Sequence, residues 1–340
     1  MKKGKLGDWP YYTSEEKKIV TKVLTSGKVN YWTGNLCKQF EKNYAKYTGT
    51  KYAISLSNGT VALEIALKSL NIKSGDEVVV TPRSYVASAS SVVNVGAKPI
   101  FSDVCKYTGN IDMKNLRKVI SSKTKAIICV HIMGLPCEMD EIMKFAKSKK
   151  IFVIEDCSQA HGAEYKGRRV GSIGDIGTWS FCQDKIISTG GEGGMVTTNN
   201  YNYWKKMWKI KDHGKNINKL SKINKSKVGF KWVHDDFGTN LRMTEVQAAI
   251  GIYQLKQLNK WQKKREINSN QIIRVFKNYQ KAVLFFDYPK YSKHAWYRCC
   301  VMINENKLRK GWTRDKIIKE ISKLSVPCFV GPCPEIYNEV

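Results

Sequence analysis

No stretch of this 340-residue chain approaches the ~20 consecutive apolar residues that cross a bilayer, and the basic opening from Met1 to Pro10 has no apolar run behind it. These absences argue against a membrane-spanning or exported protein and lead us to expect a cytoplasmic one. The ten cysteines include no C-x-x-C pair and the five histidines no H-x-x-x-H spacing, so no metal site is expected. Most of the cysteines lie in apolar, strand-like runs, which reads as buried, reduced thiols. Acidic residues are scarce, 29 against 58 basic ones, and the net charge of +29 raises the question of a nucleic-acid partner. Arginine is scarcer still, ten of the 58. The 48 lysines are scattered through helical patterns, whereas phosphate and base recognition favours arginine. We read the charge as lysine-rich solvated surface and expect no nucleic-acid partner. No internal repeat or low-complexity linker interrupts the chain.

The composition, 42% hydrophobic and 26% charged, excludes disorder and suffices for a large core or two unequal domains. Between residues 50 and 200, short β-branched apolar runs alternate with helical patterns, which predicts an α/β architecture with a largely parallel sheet. Seven strands are predicted, at Lys51–Leu56, Glu77–Thr81, Lys98–Val104, Ala126–His131, Ile151–Glu155, Gly177–Phe181 and Gly194–Thr198. Several are apolar on both faces, as a sheet covered by helices on both sides requires. Val61–Leu70 and Met139–Ser148 carry the apolar stripes of crossover helices. Two helices are predicted ahead of the sheet, one from Ser14 to Gly27 and one from about Leu36 to Tyr47, stopping at Gly49. Asp212–Thr239 is polar and aperiodic, which reads as a loop, and a long helix then runs from Thr244 toward Phe276. Mixed short strands and a helix over Thr313–Ser322 follow Val283. We expect a large domain over residues 1–245, its first 50 residues helical, and a smaller α/β domain over 246–340.

Four features fall at predicted strand ends, where open parallel sheets bind ligands. Ser57-Asn58-Gly59-Thr60 joins a strand to a helix, and its small residues suit either an anion at the helix N-terminus or an ordinary cap. Asp156 closes an apolar strand and can serve a cationic ring nitrogen or cap a helix. Lys185 follows another apolar strand, where desolvation predicts a lowered pKa and an amine nucleophile. Gly190-Gly191-Glu192-Gly193-Gly194 permits close approach or a flexible turn, but matches neither a dinucleotide fingerprint nor a P-loop. Singly these are weak signals. In order, an anion cup, an aromatic at a strand end (Tyr85), a strand-end aspartate and, 29 residues later, a lysine meet the needs of pyridoxal phosphate: a phosphate site, a face to stack on, an acidic partner for the pyridine nitrogen and a Schiff-base lysine.

These residues resemble the DegT/DnrJ/EryC1/StrS sugar aminotransferases, pyridoxal-phosphate enzymes with the aspartate aminotransferase type of fold. The resemblance runs from about Pro10 to the last residue and is most specific at Ser57–Leu63, Ile154–Gly162, Ser180–Lys185 with the glycines that follow, and Phe237–Glu245. It implies a large domain with a mainly parallel seven-stranded sheet and a smaller C-terminal α/β domain. Carried over position by position, it implies that Lys185 forms the internal aldimine and Asp156 pairs with the pyridine nitrogen. It further implies that Tyr85 stacks on the ring, that Asn58, Gly59 and Thr60 with Ser180 hold the phosphate, and that Gln159 lies near the oxygen-bearing edge of the ring. Asn240 resembles a residue that reaches the cofactor phosphate of a neighbouring subunit, which implies a homodimer with shared sites. The implied reaction takes an amino group from L-glutamate, leaving pyridoxamine phosphate, and passes it to a 3-keto or 4-keto sugar carried on a nucleoside diphosphate, for amino-sugar or polysaccharide biosynthesis. A few relatives replace the lysine by histidine and act as dehydratases, so Lys185 favours transamination. A sugar dehydratase and a non-catalytic regulatory protein of the same fold remain as alternatives. The segment Val326–Tyr337 resembles one that normally continues for several dozen residues, which implies an incomplete small domain. Nucleotide and sugar identity would be read around Arg83, His161 and the loop from Asp212 to Asp236, which carry no readable code.

Overall fold

The computed structural model describes residues 9–221, 230, 232–285, 288–331 and 333–338. Residues 1–8 of the basic opening, 222–229 and 231 of the polar loop, and Pro332 of the C-terminal segment lie outside the described residues.

Two helices open the fold. In α1 (Ser14–Thr25), the Thr13 hydroxyl accepts from the Glu16 N–H while the Glu16 carboxylate accepts from the Thr13 N–H, a reciprocal cap that satisfies otherwise orphaned donors. Helix α2 (Leu36–Thr48) ends on Gly49, whose φ of 76° belongs to the left-handed region that glycine enters without strain. The alternating segment follows: β1 (Tyr52–Leu56), α3 (Gly59–Ser69), β2 (Glu77–Val80), α4 (Ala87–Asn94), β3 (Lys98–Phe101), α5 (Met113–Val119), β4 (Thr124–Val130), α6 (Met139–Lys149) and β5 (Phe152–Asp156). A short hairpin, β6 (Glu164–Tyr165) and β7 (Arg168–Arg169), precedes β8 (Ile176–Ser180) and β9 (Gly194–Thr198). Each of the seven predicted strands forms to within three residues of its expected ends, and all seven share one sheet in the order β1-β9-β8-β5-β4-β2-β3.

Four of the six pairings are parallel, while β9 runs antiparallel to both β1 and β8. Helices join β2 to β3 and β4 to β5, the β6–β7 hairpin lies between β5 and β8, and residues 181–193 return β8 to β9 with no intervening element. That return carries Lys185 and the glycine cluster, and it brings Gly194 into register with both Leu56 and Ser180. Alternation along the strands then feeds packed clusters on both faces of the sheet. Val78, Val80, Ile128 and Ile154 pack with α3 on one face. Val79, Ile127, Cys129 and Val153 pack with α6 on the other. All ten cysteines are free thiols; Cys37, Cys129, Cys137 and Cys157 are buried and the other six only partly so, so the expected burial holds for four of them.

After α7 (Tyr201–Lys211), the segment expected to be loop contains a short helix, α8 (Ile217–Ser221). The predicted long helix is α9 (Glu245–Phe276), begun by a second reciprocal cap between Thr244 and Gln247. Its first half packs on α1 and α2, and its Ala248 and Leu258 share one buried cluster with Phe40 and Tyr44 of α2. The last part of the chain holds β10 (Val283–Phe285), β11 (Ser292–Lys293), β12 (Val301–Ile303) and α10 (Arg314–Lys323). β10 pairs with β12, while β11 adds to the β6–β7 hairpin and so ties this region to the body of the fold.

Candidate active site

β1, β5 and β8 point the same way, so their carboxyl ends and the start of β9 share one edge of the sheet. There the chain turns from β1 into α3 through Asn58, whose side chain caps the helix by accepting from the Val61 N–H at 3.0 Å. The cap leaves the first N–H groups of α3 and its dipole facing the sheet edge, an arrangement that attracts an anion. A Cβ on Gly59 would lie 2.6 Å from the Cβ of Ser180, and one on Gly194 would run into the carbonyl of Asn58. The cup, Ser180 and the glycine cluster therefore form one site, packed so closely that only glycine fits at two positions. Gly190 and Gly191 serve differently, with φ of 86° and 117°. Gly194→Ala is expected to push the Asn58 carbonyl out of the cup, destabilising the fold by about 1–3 kcal/mol and weakening pyridoxal phosphate binding roughly tenfold. A thermal melt and an absorbance titration check the two effects.

Asp156 ends β5 with its side chain buried. One carboxylate oxygen accepts from the Ser88 hydroxyl at 3.1 Å and the other from the Ser158 N–H at 3.1 Å, and Ser88 is itself hydrogen-bonded to Ser84 at 2.7 Å. All of these donors are neutral, and among the described residues no cationic side chain lies within ion-pair distance of this carboxylate. A buried carboxylate without a counter-charge is costly unless a cation joins it. Gln159, one turn further on, accepts from the Met133 N–H at 2.7 Å, which aims its amide NH2 at Cys333 Sγ, 3.7 Å away. Ser180 is buried at the end of β8, with its hydroxyl accepting from the Cys182 N–H.

Lys185 lies in the β8–β9 return, mostly shielded from solvent, with Nζ 3.2 Å from Asp184 Oδ2. The expected lowering of its pKa does not hold. Burial pulls it down, but Tyr297 and the adjacent Asp184 outweigh burial and the net shift is upward. His161 also departs from expectation: it is wholly buried among Tyr44, Trp179 and Phe181 and cannot meet a substrate. Its Nε2 is 2.9 Å from the Ser180 carbonyl, which can only accept, so Nε2 carries the proton and Nδ1 takes the Tyr44 hydroxyl at 2.8 Å. Burial pulls its pKa down to about 3, consistent with this neutral form. His161 thus braces Ser180 from behind. Glu155 does similar work beside Asp156, accepting from His131 and from the backbone N–H groups of Gly171, Ile173 and Gly174. His131, Glu155 and Cys157 lie close enough to hold a metal ion, yet the Cys137 N–H already occupies His131 Nδ1 and those four donors occupy the carboxylate.

Tyr85 stands at the bend before α4 with 67% of its surface exposed. Asn240 is exposed too, on a segment fastened to the cup by the Ser57 N–H donating to Leu241 O at 3.0 Å. Sequence reasoning did not find Ser88, Asp184 or Tyr297. Asp184 adjoins the lysine and could have been flagged. The other two meet the site from 68 and 113 residues away and left no local signal.

An anion cup, a buried carboxylate awaiting a cation and a shielded lysine along one sheet edge fit the demands of pyridoxal phosphate. The chain belongs to the DegT/DnrJ/EryC1/StrS aminotransferase family, whose sequence model matches residues 10–330. It is 40% identical over 275 residues to GDP-perosamine synthase of Escherichia coli O157:H7, covering 79% of this chain and 72% of that protein. A crystal structure of an aminotransferase from Psychrobacter cryohalolentis is 49% identical with a TM-score of 0.95, over 98% of this chain and 86% of that one. GDP-4-keto-6-deoxy-D-mannose-3-dehydratase of E. coli, solved with bound hydrated pyridoxal phosphate, is 26% identical with a TM-score of 0.85, over 98% and 87% of the two chains. The fold is that of the pyridoxal-phosphate-dependent aminotransferases, as the sequence motifs led us to expect.

Proposed function

We propose that this protein is a pyridoxal-phosphate-dependent aminotransferase that moves an amino group from L-glutamate to the keto carbon of a nucleoside-diphosphate sugar. The observation that carries the reading is Asp156, a buried carboxylate served only by neutral donors on the same sheet edge as the anion cup and Lys185. Pyridoxal phosphate supplies a cationic ring that takes up the electrons left when a carbon beside nitrogen loses its proton. Asn58, Gly59 and Thr60 with Ser180 would hold the phosphate, and Asp156, oriented by Ser88, would supply a negative charge for the ring nitrogen. Tyr85 would cover the ring, and Gln159 would offer its amide NH2 to the oxygen-bearing edge. Lys185 would anchor the cofactor, and its free amine would hold or release a proton at Nζ.

The similarity to GDP-perosamine synthase supports a sugar carried on a nucleoside diphosphate, and a lysine-rich surface would speed the encounter with such an anion. We further propose a homodimer. Phe237 is 97% exposed and Trp232 84%, an apolar surface next to Asn240 that a second copy would cover, letting Asn240 reach the neighbouring phosphate. Among the described residues no helix is long and apolar enough to cross a membrane, and we place the reaction in the cytoplasm.

The test is a two-stage assay on purified protein loaded with pyridoxal phosphate. L-glutamate is expected to bleach the near-visible absorbance, and a keto sugar nucleotide added afterwards is expected to restore it with formation of an amino sugar. Loss of water from the sugar without consumption of glutamate would mean a dehydratase instead.

A further inference from the structure

Lys185 shares its surroundings with three polar groups drawn from two parts of the chain. One oxygen, Asp184 Oδ2, accepts from Lys185 Nζ at 3.2 Å and from the Tyr297 hydroxyl, with Arg298 Nη2 4.0 Å away. Tyr297 is pinned in turn by its own N–H, which donates to Met133 O at 3.1 Å. Its ring is 5.3 Å from Lys185 Nζ and 4.4 Å from the Arg298 guanidinium. The carboxylate ahead of the lysine is thereby locked to a residue 113 positions further along.

We propose that Asp184 is a positioning residue for Lys185: braced by Tyr297, its carboxylate fixes where Nζ rests and how readily that atom gives up a proton. The inference rests on the reading of Lys185 as the attachment lysine.

The charges around Nζ support it. Asp184 and Cys182 face it from its own loop, Tyr297 and Arg298 from the segment after β11, Cys333 from the C-terminal segment, and His161 from behind Ser180. His161 is neutral, and burial pushes the Tyr297 hydroxyl up to about 12 and both thiols upward, so these groups bring no charge near pH 7. Asp184 is the one anion of the set, and Arg298 the other cation, itself turned to Asp184. A carboxylate in contact with an ammonium favours the protonated form, which raises the pH at which Nζ becomes a nucleophile. Attachment to an aldehyde needs the neutral amine, whereas delivery of a proton to carbon needs the charged one. Asp184 therefore trades speed of attachment for a lysine that holds its proton when it must act as an acid.

The experiment measures Lys185 itself in the cofactor-free 340-residue protein. Competitive acetylation with acetic anhydride across pH, read by peptide mass spectrometry, reports the neutral fraction of its amine. Asp184→Asn is expected to move the Lys185 midpoint down by about 1 pH unit or more, so that several times more of it is acetylated on the acidic side of the wild-type midpoint. Tyr297→Phe removes the phenol that also holds the midpoint up but leaves the Asp184 charge, so its midpoint should fall by clearly less than that of Asp184→Asn. A purely structural link would move both variants by the same amount. Equal midpoints in wild type and Asp184→Asn, or a fall in Tyr297→Phe as large as that in Asp184→Asn, overturn the proposal. Failure of the wild-type chain to take up pyridoxal phosphate would overturn instead the reading of Lys185 as the attachment residue, whatever its midpoint.

Discussion

Lys185→Ala is expected to abolish covalent capture of pyridoxal phosphate and to lower turnover by roughly 10^4-fold, the upper range for a positioned acid–base group. Two functions are lost together. Without Nζ nothing anchors the aldehyde, and nothing at that position carries a proton between carbons. The fold should survive. The side chain's polar partner is Asp184, itself 41% exposed, and an ion pair so open to water contributes little to stability. Asp184 would keep Tyr297 and Arg298 as partners. The phosphate cup, built from Asn58, Gly59 and Ser180 across the sheet edge, does not involve Lys185. The variant should therefore still bind the cofactor, in free-aldehyde form, and borohydride should no longer fix it to the peptide containing residue 185. Unchanged turnover, or a borohydride label that persists on another lysine, would remove Lys185 from the mechanism.

The strands were legible because most are short apolar runs buried on both faces, the edge strand β3 excepted, and the apolar pattern survives any choice of direction. For the same reason the antiparallel course of β9 was not legible. The clue lay in residues 181–193, which lack the periodicity of a crossover helix. The cup could be read from Ser57-Asn58-Gly59-Thr60, although α3 begins at Gly59, ahead of the expected Val61, because Asn58 is its cap. What the motifs could not convey is which side chains from elsewhere reach the strand ends. Ser88 orients Asp156 from the first turn of α4, and Tyr297 reaches the lysine region from beyond α9. The raised pKa of Lys185 follows from that neighbourhood and not from burial, the only factor a strand-end position suggests. His161 shows the same limit: its motif marks the vicinity of the site, while its burial among Tyr44, Trp179 and Phe181 assigns it to support.

Asp156→Asn separates stability from function with opposite signs. In the cofactor-free protein the carboxylate is buried beside the Ser88 hydroxyl and the Ser158 N–H, with no cation in contact among the described residues. Asparagine has the same shape. Its carbonyl can accept from Ser158, and its NH2 can donate to Ser88, whose hydroxyl can turn toward Ser84 at 2.7 Å. The substitution thus removes an uncompensated buried charge without orphaning a partner, and such a change is neutral or stabilising. The melting temperature without cofactor should hold or rise. Once pyridoxal phosphate is bound, the loss falls on the ring nitrogen, which no longer has an anion to keep it protonated, and turnover should fall roughly 10^3-fold, the scale of removing a preorganised charge from a reacting centre. The rise in melting temperature on adding cofactor should shrink as well, since that increment follows affinity. Asp156→Ala provides the contrast: it leaves the Ser158 N–H without its partner and so should lower the cofactor-free melting temperature while matching the loss of turnover. If Asp156→Asn kept full turnover, the buried carboxylate would be a structural cap, and the assignment of this sheet edge to pyridoxal phosphate would lose the observation on which it chiefly stands.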